Sequence, residues 1–463
     1  MNFLAKAILW ILKRVLSLLM PLALAFLAFM VGALIMAFEL PPHQEIRKMI
    51  IAAVSVARWA QLEQATSDED HPHIIVSDAG GGKALGRIDR DRAYGGVTMA
   101  QTFANDRFAM LLLGENGERL HRWDVPDAVY EQIEARGWKV DRGFQEIMGG
   151  HLYESGDVLG IIYQQGLFRI DRCSGLKWFR PGLYHHDAKV AADGSIWALS
   201  ANYLAEQPGA YAHIAPPHYD DVVVHLSPEG EVLEEISLLD AIYRSGYQGL
   251  VLEGKSSYPE SKQDDPAHSN DIEIVGEAFA ARHDFANAGD LLVSLRAADS
   301  IVLIDRGTKL VKWALTGMFL RQHDPDLQPD GTISIFDNRT ARGQFNKAER
   351  TVEPQSFGYS RLLRFDPASQ RILWQFQGSR EEPFYTSVQG DHQILPNGNV
   401  MAVETEAGRI IEIDPKTNEI VWEWFNVVER GERKDLVGRV TRAFRYDSDY
   451  ASFIGKDCPA GDG

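Results

Sequence analysis

The sequence predicts an all-β protein, a six-bladed β-propeller, carried behind an N-terminal transmembrane helix and a short stalk helix. Three observations predict it: a hairpin-plus-tryptophan unit that recurs along the chain, a histidine-marked strand ahead of most copies, and an uncharged apolar run near the N-terminus. The expected layout is a cytoplasmic tip and membrane anchor over 1–40, a stalk helix and linker over 41–92, the propeller over 93–450 and a C-terminal tail over 451–463.

Lys6, Lys13 and Arg14 precede a run from Val15 to Phe38 that holds no charged residue. At 1.5 Å per residue such a run exceeds the roughly 30 Å hydrocarbon core of a bilayer, which a cleavable signal core of about 7–15 residues would not. With the cations before the run and Glu39 after it, the positive-inside rule keeps the N-terminus cytoplasmic. A single-pass protein of the cell inner membrane is expected, its C-terminal body in the periplasm or an equivalent lumen; a long cleaved signal peptide is the alternative. From Pro41 to Ala65 the apolar residues Ile46, Ile50, Ala53, Val54, Ala57 and Leu62 fall near helical spacing, which gives the stalk. Thr66 to Arg92 is rich in Asp, Gly and His and reads as a linker. Its Gly80-Gly81-Gly82-Lys83 lacks the earlier Gly and the following Ser or Thr of a phosphate-cradling loop.

The repeat organises the remainder. Leu167 to Asp171 reaches Trp178, Ile301 to Asp305 reaches Trp313, Leu362 to Asp366 reaches Trp374, and Ile410 to Asp414 reaches Trp422. Each copy is strand, polar turn, strand, with turn compositions that close hairpins. Leu111 to Trp123 and Val222 to Leu233 are degenerate copies, which makes six hairpins. Ahead of most of them lies a strand begun by histidine and closed by an Asp/Asn-Gly turn: His186 to Gly194, His323 to Gly331 and His392 to Gly398, with His151 as a looser copy and His268 or His283 preceding Gly289. Strand, turn, strand and hairpin make four antiparallel strands in about 50 residues, the size of a propeller blade. Insertions at Ala201 to Asp220 and Gly254 to Ala267 are expected as loops over one face.

Composition narrows the function. Lys and Arg number 47 against 65 Asp and Glu, a net charge of −18, which excludes a nucleic-acid partner because phosphate affinity needs clustered cations. Cys173 and Cys458 are too few for a disulfide scaffold or a thiolate zinc site and leave room for one bridge. First strands line a propeller's channel, so His186, His323 and His392, which share a phase, are expected to converge around the axis as a functional cluster.

His268-Ser-Asn270-Asp271, Leu291 to Arg296, Gln322-His323-Asp324, Gly331 to Asp337-Asn338 and Gly390-Asp391-His392 to Asn399 together resemble the motif string of the arylsulfotransferases, over roughly Thr98 to Trp424. The resemblance implies a membrane-anchored or periplasmic six-bladed propeller that needs no nucleotide sulfate donor and no cofactor. In that family a phenolic sulfate ester gives its sulfuryl group to a histidine, which passes it to a second phenol. Carried onto this chain, the resemblance gives His268 and His323 supporting acid–base roles, and gives an arginine after Asp337-Asn338 that is either Arg339 or Arg342, spacing favouring Arg342. Asn270, Asp271 and Asp324 are candidates to orient imidazole tautomers, or are ordinary turn formers. The chain departs from the pattern at Glu404 to Arg409, where the family carries its sulfated histidine and this sequence has none. His392 is expected to take over as nucleophile, with His323 the alternative. Two other readings stay open: a non-catalytic periplasmic propeller in which the tryptophans dock one blade on the next, and a histidine-ligated iron or zinc enzyme.

Overall fold

The computed structural model describes residues 19–21, 23–32, 34–35, 38, 71, 73–77, 82–104, 106–206, 211, 214, 216–253, 265–340, 345–346, 351–352, 358–430, 433, 435–456 and 458. It divides into two compact units, residues 1–71 and 72–463. In the first, the described residues between 19 and 35 are helical and expose Leu24, Phe26 and Phe29. Among the described residues no helix is long and apolar enough to cross a membrane. The stalk expected over 41–65 lies outside the described residues.

The second unit holds six antiparallel blades. Blades two to five are four-stranded and follow the repeat: the second runs from Ile147–Leu152 to Leu176–Pro181, the third from Ala188–Val190 to Val232–Ser237, the fourth from Ser269–Ile274 to Val311–Thr316, and the fifth from His323–Leu327 to Arg371–Gln377. The first blade is closed from the far end of the chain. Val97–Ala104, Arg107–Leu113 and Arg119–Trp123 make its outer strands, and Val440–Tyr446 supplies its inner one, pairing with Val97–Ala104. The sixth blade gains a fifth strand: Leu85–Ile88 pairs outside Glu419–Phe425. Ile74–Val76 pairs with Leu436–Gly438, so the stretch expected as a linker over 66–92 carries two strands of the body. In the third blade the insertion's ends extend the central pair, Ile196–Leu204 against His218–Leu226. Cys173 is bonded to Cys458, which ties the C-terminal segment to the second blade.

The repeated residues earn their recurrence through geometry. The Asp that ends each third strand closes the following turn: Asp171 accepts the Cys173 and Gly175 amides, Asp305 the Gly307 and Thr308 amides, Asp366 the Ala368 amide and Asp414 the Lys416 amide. Several tryptophans donate their indole N–H to the next blade. Trp123 donates to Gly156, Trp178 to Pro228, Trp374 to Asn418 and, across the ring closure, Trp422 to Glu115. Apolar side chains of neighbouring blades interlock in six clusters, one per blade junction. Second strands are therefore buried on both faces, as Val158–Ile162, Leu291–Leu295 and Val400–Glu404 are along their whole length. Each Leu, Ile or Phe so buried contributes about 1.5–3 kcal/mol.

Candidate active site on the propeller axis

The inner strands enter the axis through residues in the left-handed region: φ is +56° at His186, +47° at His268, +51° at Asp324 and +58° at Gln389. A non-glycine residue there costs about 1–3 kcal/mol and persists only where its surroundings over-determine it, a pattern that clusters at functional sites. Three of these entry residues, His186, Asp324 and Gln389, line a small axial pocket together with Asn270, His323, Thr441 and Arg442 among others.

His186 and His323 line this pocket, and His268, outside its lining, packs against His186. The His186 and His268 rings meet edge to face with centroids 5.2 Å apart. A further histidine, His185, contacts His186 with the two Nδ1 atoms 2.9 Å apart. Burial, and then the neighbouring His185, His268, His323 and Arg296, hold His186 well below the ordinary histidine value, so its imidazole is neutral. His323 is pushed down to about 3 by burial and by the Arg296 charge. Its Nδ1 lies 2.7 Å from the Asn338 side-chain oxygen and 3.1 Å from the Arg321 carbonyl, which makes Nδ1 the protonated nitrogen, and its Nε2 accepts the Gln389 amide at 3.1 Å. Asn338 also donates to the Thr386 and Gln389 carbonyls, so one buried amide fixes both the His323 tautomer and the loop that faces it. His268 is partly exposed, its Nδ1 2.6 Å from Asp265. Asn270, which lines the pocket, donates to the Gln322 carbonyl, and its buried side-chain oxygen has no hydrogen-bond partner among the described residues.

The floor is ionic. Arg442, from the strand that closes the first blade, pairs with Asp187 of the third, reaches Asp271 of the fourth at 3.6 Å, Asp324 of the fifth at 3.2 Å and Asp391 of the sixth at 3.2 Å. Burial alone would raise Asp324, but hydrogen bonding from His392 and the charges of His392, Arg442 and Lys189 hold it well below the usual carboxylate range. Asp271 and Asp391 go the other way: burial and the neighbouring aspartates push both well up, whereas Asp187, despite its burial, is held below the usual carboxylate value by Arg442 and Lys189. Beneath lies Lys189, paired with Glu273.

His392 belongs to this lower layer. Its Nδ1 and backbone N–H both reach Asp324 Oδ2, at 2.7 and 2.6 Å, its Nε2 lies 3.8 Å from Asp326, and only 1% of its side chain is exposed. It is not among the pocket-lining residues. Of the three histidines expected to converge, His186 and His323 thus reach the pocket, with His268 beside His186, and His392 lies below the floor. The reason is register: Asp391 takes the axial direction in this strand, and His392, one residue on, faces elsewhere. His283, the other candidate in the fourth repeat, instead contacts the Gly331 carbonyl of the fifth blade at 2.6 Å. Arg339 extends away from the pocket, beside Gly358, Gln377 and Arg361. Arg342 lies outside the described residues. At the departure point, Thr405 accepts the Gly390 amide, while Glu406 accepts the Ser387 amide and hydroxyl, so these side chains brace the loop before the inner strand. The histidines expected as alternative metal ligands do not group as one: three ligand atoms within 4.8 Å of one another come, among the described residues, from Asp324, Asp326 and His392.

His185, Arg296, Gln389 and Arg442 were not singled out as site residues by the sequence. One signal was there to read: an aspartate recurs at the inner-strand entry as Asp187, Asp271, Asp324 and Asp391. Four buried carboxylates on one axis demand a buried cation.

A family profile described as Arylsulfotransferase (ASST) matches residues 155–427. No curated protein matches the chain. Among solved structures, a protein of unknown function from Bacteroides caccae is 11% identical with a TM-score of 0.47, covering 76% of this chain and 98% of its own. Virginiamycin B lyase from Staphylococcus aureus is 12% identical with a TM-score of 0.32, covering 60% and 69%. The WD40 β-propeller domain of Doa1 is 10% identical with a TM-score of 0.38, covering 76% and 95%.

Proposed function

The chain belongs to the arylsulfotransferase family, and on that premise we propose that it moves a sulfuryl group from a phenolic sulfate ester to a second phenol through a sulfohistidine carried by His186. The observation that carries this reading is the grouping of neutral imidazoles, His186 and His323, under the influence of one cation, Arg296. Sulfuryl transfer, like phosphoryl transfer, has a loose transition state with charge on its equatorial oxygens, so the enzyme mainly supplies in-line positioning and cationic donors. A neutral imidazole is the form that attacks sulfur. His186 Nδ1 is engaged by His185, and among the described residues no hydrogen-bond partner reaches its Nε2. His323 Nε2, by contrast, already accepts the Gln389 amide, and His392 faces carboxylates. Arg296 is assigned to the sulfuryl oxygens, and His268, with Asp265 on its Nδ1, to protonating the departing phenolate and deprotonating the incoming phenol.

The uncharged run Val15 to Phe38 behind Lys6, Lys13 and Arg14 supports a membrane anchor with the body across the inner membrane. The test of the catalytic reading is an adduct. Mixing the protein with a chromogenic aryl sulfate should add about 80 mass units to the intact chain, one group per chain, and peptide mapping should locate it on His186. A label on His323 or His392 reassigns the carrier. Absence of both adduct and turnover favours the second reading, a binding propeller, whose support is the Thr405 region standing where the family carries its histidine.

A further inference from the structure

Behind His186, on the side away from the pocket, stands a second imidazole followed by a carboxylate. His185 Nδ1 lies 2.9 Å from His186 Nδ1, and His185 Nε2 lies 3.6 Å from Asp221 Oδ1. His185 and Asp221 are both buried; their 3.6 Å separation is a charge contact rather than a hydrogen bond, and among the described residues His185 Nε2 has no hydrogen-bond partner, so its N–H, when present, faces the Asp221 carboxylate. Asp221 is itself held by the Ser269 backbone N–H, 2.5 Å from its Oδ2, on the strand that follows His268. Two Nδ1 atoms at that distance share one proton, so the tautomer of one ring dictates that of the other. If the proton sits on His185, His186 must carry its own on Nε2 and cannot attack. If it sits on His186, Nε2 keeps its lone pair and His185 presents Nε2–H to Asp221.

We propose that His185 and Asp221 form a proton relay that sets the reactive tautomer of His186, a positioning role that rests on His186 being the sulfuryl carrier. The steps balance. As the His186 Nε2–S bond forms and the ester S–O bond breaks, the electron pair leaves on the phenolate oxygen, which takes its proton from His268. The Nδ1 proton of His186 then passes to His185 Nδ1, and Asp221 compensates the resulting imidazolium. In the second half-reaction the acceptor phenol gives its proton to His268 as its oxygen attacks sulfur. The N–S pair returns to His186 Nε2, and His185 returns the proton to His186 Nδ1.

The electrostatics agree with this division. Burial would depress His185, but the Asp221 carboxylate, then Asp265 and the Ser200 backbone, outweigh it and hold the group above the ordinary histidine value. His186 faces His185, His268, His323 and Arg296, and none of these stabilises a proton on it. The carrier is thus the weaker base of the pair and the relay the stronger.

Turnover therefore requires His185 to be neutral, and the kcat–pH profile should have an acid limb set by His185. Asp221→Asn, which retains an oxygen for the Ser269 amide, should lower kcat about 10²-fold, the range of a lost proton-transfer partner, and move that limb to lower pH. His185→Gln, which cannot take the proton, should lower kcat by a similar factor and abolish the limb, while both variants melt with the parent. The adduct map on the parent enzyme separates the two levels. A label on His186 with the limb moved supports the relay. A label on His186 with limb and kcat unchanged in both variants overturns the relay alone, and a label elsewhere overturns the assignment on which it rests.

Discussion

Replacing Arg442 by methionine removes the cation at which four blades meet. Its guanidinium pairs with Asp187, reaches Asp324 and Asp391 at 3.2 Å and Asp271 at 3.6 Å. Removing one partner of a buried pair costs about 3–5 kcal/mol, since the remaining charge stays buried without compensation. For a body spanning residues 72–463, unfolding entropy of about 2.1 cal/mol/K per residue amounts to about 0.8 kcal/mol/K, so the variant should melt about 4–6 °C lower. The pH dependence is the sharper readout. Asp324 is held well below its ordinary value in the folded protein, so its contribution is present above the unfolded pKa and lost as pH falls through the folded one. Without Arg442 the folded carboxyls climb, and the folded variant binds protons that the unfolded chain has released. Its deficit should therefore widen between about pH 5 and about pH 8. Circular dichroism melts of parent and variant across that range measure it. A variant that melts with its parent, or whose deficit narrows as pH rises, refutes the reading of Arg442 as the charge that holds the axis together.

Asn338→Ala leaves the Gln389 carbonyl without its Asn338 donor, the Thr386 carbonyl with Ser360 alone and His323 Nδ1 with the Arg321 carbonyl alone. It should cost about 1–3 kcal/mol in urea unfolding. The same variant should slow turnover about 10²-fold by releasing the His323 tautomer, and equal kcat values would count against any role for His323 orientation. Cys173→Ser opens a loop of 285 residues. The chain-entropy model puts the loss at about 5.6 kcal/mol, and an unchanged denaturation midpoint would show that the ring does not depend on the bridge. Protease added to spheroplasts should digest the body while sparing the cytoplasmic tip; complete protection would rule out the proposed topology.

The blades were legible because each is written locally. An Asp that closes its own turn and a Trp that reaches the next blade leave a mark within ten residues, as Asp171 and Trp178 do. The strand Val440–Tyr446 carries no such mark: its partner is Val97–Ala104, and nothing near residue 440 announces a pairing with the other end of the chain. The same blindness hid Arg442, whose meaning depends on four aspartates contributed by four separate repeats. For the histidines, repeat phase brought His186 and His323 to the axis, but phase has a resolution of one residue and a strand has two faces. Asp391 and His392 are adjacent, and the shift of one position separates the pocket floor from the layer beneath it. Likewise His185 and His186 are neighbours in sequence, and only the left-handed turn at His186 sets their rings facing through Nδ1.

The late arrival of the inner strand of the first blade has a consequence in time. Blades two to five are each built from contiguous chain and can form as they emerge during synthesis. The first cannot be completed until residues 440–446 have been made, and until then Val97–Ala104 is an open edge. The same late residues bring the guanidinium that neutralises the pocket floor. A chain interrupted before them would carry five assembled blades around a ring of carboxylates that lacks its central guanidinium. Synthesis of residues 440–446, ring closure and neutralisation of the pocket floor thus arrive as a single event, and Cys458, downstream again, records by its bond to Cys173 that the event has occurred.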